Sequence, residues 1–279
     1  MAALLLHSLK EFDEVIFELL DSGRPRSVLE IGAETGEFSE RLIERCEGIG
    51  ARFTSIDPHP PEHLMRRAQT STTFDLVVGL SLPYLRKHGC EHDFVLIDGD
   101  HNYFTVSNEL ELVHASWAAH DTQGTILLHD VGFPCARRDF YYDPRSIPAD
   151  AVHRHSFLMG VTLDSPQLVP GGYRGEGQFA WALEEGGERN GILTAVEQFL
   201  QSHPEYVYRS IDAVFGLGAL TRRGSKAAED AERVLGRYDN ALVRRLERNR
   251  LELYLKVLEL QDALGARDAA SALDKKDVS

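Results

Sequence analysis

A chain of 279 residues is long enough to bury one large core with an appendage, and its 43% hydrophobic and 27% charged residues suit a folded globular protein rather than a disordered one. Forty-four acids against 30 basic residues leave a formal charge of −14, which argues against a nucleic-acid partner. The cysteines, Cys46, Cys90 and Cys135, are far apart and form no CxxC, so neither a disulfide framework nor a zinc cluster is written here and a reducing, cytoplasmic setting is expected.

At the amino terminus Leu5, Leu9, Phe12, Ile16 and Leu19 recur at spacings of three and four, the stripe of an amphipathic helix. The short apolar run there lacks a basic leader and meets acids at once, unlike a signal sequence. No stretch reaches the length needed to cross a bilayer. Short apolar runs then alternate with helical patterns. Ser27–Ile31 reads as a buried strand, followed by a glycine turn at 32–36 and a helix carrying Phe38, Leu42 and Ile43. Further strands are expected at 52–56, ending in Asp57, at 74–78, at 93–97 and at 125–128. A short helix is expected at 80–85, and Val106, Leu110, Val113 and Trp117 mark one face of a longer one. Continuous apolar strands between amphipathic helices predict an α/β fold with a parallel sheet covered on both faces.

Past Val131 the alternation breaks. Residues 132–190 gather proline, glycine, histidine and arginine, and a structureless loop of that length does not suit a compact domain. A folded insertion or lid with short helices, ordered in part by a ligand or partner, is expected. Arg137, Arg138, Tyr141, Tyr142 and Asp143 are its candidates for selecting an acceptor. His153 and His155 are two histidines without further ligands, a weak metal signal. A helix resumes at 192–200, and 206–211 and 213–220 read as late strands, the second a candidate for antiparallel pairing at the end of the sheet.

From Lys226 onward Leu235, Tyr238, Leu242, Leu246, Leu253, Val257, Leu260 and Leu264 lie three, four or seven apart among charged residues. An unbroken helix there would be about 55–60 Å long. Two outcomes stay open: the helix folds back in two pieces on the core, or it crosses to another subunit as a short coiled coil with Asn249 as a polar interruption. The stripe favours a homo-oligomer. Two units are expected, 1–225 with the 132–190 insertion and a helical extension at 226–279, whose final DKKDVS should fray.

The chemistry concentrates at strand ends. In LEIGAETG a strand ends, the backbone turns on glycines and a helix begins, which lets backbone amides approach a ligand. The turn is neither GxGxxG nor GxxxxGK[ST], and Glu34 at its centre suits an uncharged or cationic ligand better than a pyrophosphate. Asp57, Asp98, Asp100 and Asp130 all follow strands, and open parallel sheets bind ligands beyond their carboxyl ends. Any one aspartate is an ordinary turn or cap residue; four together mark a site.

In this order VLEIGAETG, SIDP, GLSLPYL, FVLIDGDHNY and GTILLHDV resemble the class I S-adenosylmethionine-dependent methyltransferases, most closely the small-molecule and sugar O-methyltransferases, some of which use a divalent metal. The resemblance covers 27–131 and continues weakly to about residue 220. It implies a Rossmann-like class I methyltransferase sheet with helices on both faces, an inserted lid region and a long C-terminal helical extension. It places Glu30, Gly32, Ala33 and Gly36 in the cofactor turn, Asp57 on the cofactor ribose, Ser81 near the adenine, and Asp98 at the edge of the cofactor site. Glu34 stands where these enzymes often carry glycine. Asp98-Gly99-Asp100-His101 matches their Asp-x-x-His, whereas His129-Asp130 matches half of a paired-acid pattern.

The implied activity is O-methylation of a hydroxyl on a sugar, glycan or polyhydroxylated small molecule. His101, aided by Asp98, is the candidate base, and Asp98, His129 and Asp130 are the candidate ligands of Mg2+ or Mn2+. N-methylation of an amino sugar and a methyltransferase-fold binding or assembly protein without turnover are the alternatives.

Overall fold

The computed structural model describes residues 5–276, with side chains through residue 267. Five parallel strands build the centre: β1 (Ser27–Ile31), β2 (Arg52–Asp57), β3 (Phe74–Val78), β4 (Phe94–Ile97) and β5 (Thr125–His129). In β1, β2, β4 and β5 the Val, Leu, Ile and Phe side chains are buried on both faces because helices cover both sides, while on the edge strand β3 Val78 is exposed. The covering helices are α1 (Asp13–Gly23), α2 (Glu37–Ile49), α3 (Glu62–Thr70), α4 (Ser81–His88) and α5 (Tyr103–His120). The stripe expected on α5 is the buried face: Val106, Leu110, Val113 and Trp117 are each at most 1% exposed. Asn102 caps this helix by accepting a hydrogen bond from the Thr105 amide at 2.9 Å.

After β5 comes the insertion. It is folded, but from short strands rather than the expected helices: β6 (Phe140–Tyr141), β7 (His155–Ser156), β8 (Gly160–Thr162), β9 (Ser165–Val169) and β10 (Ala180–Ala182), with two single 3-10 turns. Strands β6, β10 and β7 make one small antiparallel sheet and β8–β9 a hairpin. Aromatic packing among Phe140, Tyr173, Phe179 and Trp181 and a buried Arg138 hold the unit together.

The chain returns through α6 (Ile192–Ser202), β11 (Tyr206–Ile211) and β12 (Leu217–Arg222), completing a seven-stranded sheet of order β11-β12-β5-β4-β1-β2-β3. Strand β12 is antiparallel, as anticipated, but it starts at Leu217 and lies inside β11. Residues 213–216 turn instead, with Val214, Phe215 and Gly216 all at positive φ. That turn folds over the carboxyl end of β5. The order of the parallel strands reverses between β1 and β4, and this switch point opens the crevice where such sheets bind ligands.

The tail is two helices. α7 (Lys226–Leu235) packs against α1 and the β11–β12 pair, and α8 (Ala241–Lys276) is 36 residues long, about 54 Å. One side of α8 meets the core: Leu251 is buried with Leu5 and Phe215, and Tyr254 packs beside them. Arg174 of the insertion grips Asp262 through two hydrogen bonds of 2.9 and 2.6 Å. Residues 274–276 of the expected frayed end are still helical; 277–279 lie outside the described residues. Among the described residues no helix is long and apolar enough to cross a membrane.

Candidate active site

The glycine turn is built by contacts across the sheet. Gly32 has φ +92°, and a Cβ there would run into the carbonyl oxygen of Asp98, so glycine lets the ends of β1 and β4 close together. Gly36 opens α2 with φ +75°, where a Cβ would press on Pro61 and His63. Between them Glu34 has φ +48°, the left-handed region that favours glycine. Glu34 thus takes a backbone conformation that glycine adopts readily, while turning a carboxylate towards the cleft.

Asp57 locks this turn. One carboxylate oxygen accepts from the Ala33 amide at 2.8 Å and the other from the His59 amide at 2.7 Å. Glu30 points elsewhere: it is buried between the sheet and α2, and its Oε2 accepts from Ser39 and Ser55 hydroxyls at 2.7 and 2.6 Å. Burial pushes its carboxyl up to about 7 against the pull of those two hydroxyls. The Ser81 hydroxyl is bound to Glu109 on α5 and is buried with it. Burial pushes Glu109 up to about 8, so it holds its proton at neutral pH.

Beyond β4 and β5 four side chains converge. Asp98 Oδ1 lies 3.1 Å from His129 Nδ1 and 3.3 Å from His101 Nε2. Asp130 Oδ2 lies 3.0 Å from His101 Nε2 and 3.5 Å from His129 Nδ1. Asp130 reaches this place with φ +57°, an unfavourable backbone for a residue other than glycine. Burial opposes the charge on Asp98, but His129 and His101 outweigh it and hold the carboxyl near 2. Burial likewise opposes the charge on His129, yet Asp130 and Asp98 lift its imidazole to about 10. His101 is raised by the same two acids against its burial.

The ligand atoms of Asp98, His129 and Asp130 all lie within 4.8 Å of one another. The imidazole bears on the identity of a ligand there. His129 Nε2 is 2.9 Å from the Val214 carbonyl, which only accepts, so Nε2 carries a proton, and Nδ1, whose own proton the two acids hold, is the nitrogen that a cation would have to deprotonate. A histidine oriented from behind by a backbone carbonyl is the usual arrangement of a metal ligand, and two carboxylates beside it suit a hard divalent cation. These residues fit such an ion.

The cleft over the cluster is lined by Glu34 and by Tyr142 and Trp181 of the insertion. Of the five insertion residues expected to select the acceptor, only Tyr142 faces it, half-exposed with its ring 6.0 Å from that of His101. Arg137 forms a two-pronged pair with Glu197 at 2.6 Å for each contact. Arg138 is buried and donates to backbone carbonyls, including that of Leu183 at 2.9 Å. The Tyr141 hydroxyl donates to Asp139 at 2.9 Å, and Asp143 is engaged by Arg145. For Arg138 and Tyr141 the reason is burial, since buried polar groups must find partners within the lid, whereas Arg137 and Asp143 are taken up in exposed ion pairs. His153 and His155 instead hydrogen-bond to backbone carbonyls.

Two participants had no advance reading. The Val214 carbonyl is a backbone atom in a turn and leaves no mark in the sequence. Glu109 does leave one, since an acid stands on the buried stripe of α5 between Val106 and Val113.

Residues 29–131 match a family model described as a methyltransferase domain. Among solved structures, the SAH-bound methyltransferase PaMTH1 of Podospora anserina is similar at 15% identity, over 77% of this chain and 79% of that one, with a TM-score of 0.48. Cofactor-bound Rv0187 from MTB is similar at 18% identity over 78% and 82%, with a TM-score of 0.41. The O-methyltransferase TomG of Streptomyces achromogenes, involved in tomaymycin synthesis and solved with SAM, is similar at 15% identity over 76% and 80%, with a TM-score of 0.40. No curated protein sequence matches the chain. The matched segment and the strand order together define a class I S-adenosylmethionine-dependent methyltransferase fold.

Proposed function

We propose that the protein transfers the methyl group of S-adenosylmethionine to a hydroxyl of a small polyhydroxylated acceptor, such as a sugar or glycan unit. The observation that carries this reading is the convergence of Asp98, His101, His129 and Asp130 at the switch point, beside the turn held by Asp57. The cofactor would lie over Gly32, Ala33 and Gly36, with its ribose towards Asp57 and its adenine towards Ser81. Acids at the mouth, Glu34 and Asp98 among them, suit a cationic sulfonium better than a phosphate.

The acceptor oxygen attacks the methyl carbon as the carbon–sulfur bond breaks, leaving a neutral thioether, and the hydroxyl proton must go to a base. His101 lines the cleft and is the proposed base: its Nε2, which donates to Asp98 and Asp130, would be free to accept the proton where a bound cation engages those carboxylates. Tyr142 would pack against the acceptor. Asp98, His129 and Asp130 would hold Mg2+ or Mn2+, which supplies positive charge that lowers the pKa of a bound hydroxyl and screens the carboxylates from His101. We also infer a cytoplasmic homo-oligomer. The three cysteines, all buried and unpaired, support a reducing compartment, and the exposed leucines of α8 support self-association.

Transfer of labelled methyl from S-adenosylmethionine to a panel of sugars, catechols and amino sugars, with Mg2+ present, tests the proposal. Label at an oxygen, located by NMR of the product, is the expected outcome. Label at nitrogen alone would replace it with amine methylation.

A further inference from the structure

The core leaves five leucines of α8 exposed: Leu242, Leu246, Leu253, Leu260 and Leu264 are 53–66% accessible. At 3.6 residues per turn they fall within an arc of about 40° on one side of the helix. That row lies about a third of a turn away from the face through which Val243, Leu251 and Tyr254 meet the core. A row of this length and regularity is unusual on a surface that water alone covers.

The row is palindromic. Leu246 and Leu260 each stand seven residues from Leu253, and Leu242 and Leu264 each stand eleven. A two-fold antiparallel pair centred on Leu253 sets Leu246 on Leu260, Leu242 on Leu264 and Leu253 on itself, the self-complementary condition of an isologous contact. A parallel pair needs no such symmetry.

Charge points the same way. Residues 241–250 hold four arginines and one glutamate, whereas 251–262 hold Glu252, Glu259 and Asp262 against a single lysine. Parallel pairing sets the arginine-rich segment against its own copy. Antiparallel pairing sets it against the more acidic one. Bulk agrees as well. The first half of α8 is flanked by the core, while residues 259–267 are all exposed, with Arg174 reaching Asp262 from one side. Antiparallel pairing lays each free half beside the other's bound half; parallel pairing crowds both bodies at one end.

We propose that α8 pairs with α8 of a second copy as an antiparallel two-fold coiled coil centred on Leu253. This rests on the self-association inferred above and on none of the catalytic reading. The native cysteines are buried, so introduced ones can report the register. Sedimentation of the wild type should show a dimer; a monomer at every concentration would overturn self-association itself. Under mild oxidation Leu253→Cys should cross-link to itself. Leu246→Cys and Leu260→Cys should not do so singly, but should cross-link to each other when mixed. Self-cross-linking of Leu246→Cys, or a dimeric Leu253→Cys that stays unlinked, would overturn the antiparallel register while leaving the dimer intact. Circular dichroism of each variant confirms that the surface substitution leaves the fold unchanged.

Discussion

The Nε2–H of His129 donates to the Val214 carbonyl at 2.9 Å, and this fixes the opposite nitrogen 3.1 Å from Asp98 Oδ1. Val214 adopts a positive φ in the turn before β12 to present that carbonyl. Strain in a turn and orientation of a ligand are thus coupled across two strands. If Asp98, His129 and Asp130 hold a divalent ion, His129→Ala should weaken Mn2+ binding by roughly tenfold or more. Mn2+ titration followed by electron paramagnetic resonance reads this without any turnover. Equal Mn2+ affinity in the two proteins would remove His129 from the ligand set, and no binding by the wild type would remove the ion.

His101 is predicted to act in the chemical step. Its Nε2 sits between Asp98 and Asp130, and its ring is flanked by Phe140 and Tyr142. His101→Ala should lower turnover by about 10²–10⁴-fold, the usual contribution of a positioned base, with cofactor affinity preserved. Calorimetric titration with S-adenosylhomocysteine beside a turnover assay separates the two. A variant that keeps wild-type turnover would leave the proton to another group.

Asp57 should serve both cofactor and fold. Its two oxygens accept from the Ala33 and His59 amides, so Asp57→Ala strands two donors beside the turn. A stability loss of about 1–3 kcal/mol is expected from that alone. Cofactor affinity should fall further than stability explains, because the carboxylate proposed to pair with the ribose is gone. Urea unfolding and cofactor titration measured on the same sample test both halves. Wild-type stability with lost binding would make the turn contacts incidental.

Much of this arrangement was legible in the sequence because it is written in local pattern. Strands β1, β4 and β5 are mostly apolar runs, and four of the five parallel strands have ends marked by Gly32, Asp57, Asp98 and Asp130, each within one residue of where its strand stops. What stayed hidden depends on long-range pairing. Strands of two or three residues, such as β6 and β10, carry no period, and their stability comes from partners some forty residues away. Arg138 reads as a ligand contact in sequence because arginine is seldom buried; only the fold shows three backbone carbonyls waiting for it. The leucine row of α8 was visible, but its exposed side was not, since periodicity shows that residues share a face and not what that face meets.

Glu109 gives a prediction in pH. It is fully buried, its Oε1 is bound by Ser81, and its Oε2 has no partner among the described residues. Burial raises its carboxyl to about 8 from an ordinary value of 4.5. Between those two values the unfolded chain has lost the proton and the folded chain has kept it. Unfolding then releases a proton, so rising pH favours the unfolded state, and the penalty grows through this window and levels off above it. Glu109→Gln keeps the shape and can still accept from Ser81, yet it never ionises. The variant should match the wild type near pH 4.5 and exceed it near pH 8, by a margin on the order of 3 kcal/mol. Urea unfolding of both proteins across that range measures the difference, in which the titration of every shared group cancels. A gap that does not widen with pH would mean that Glu109 is already ionised in the folded chain, paired with a group that solvates it.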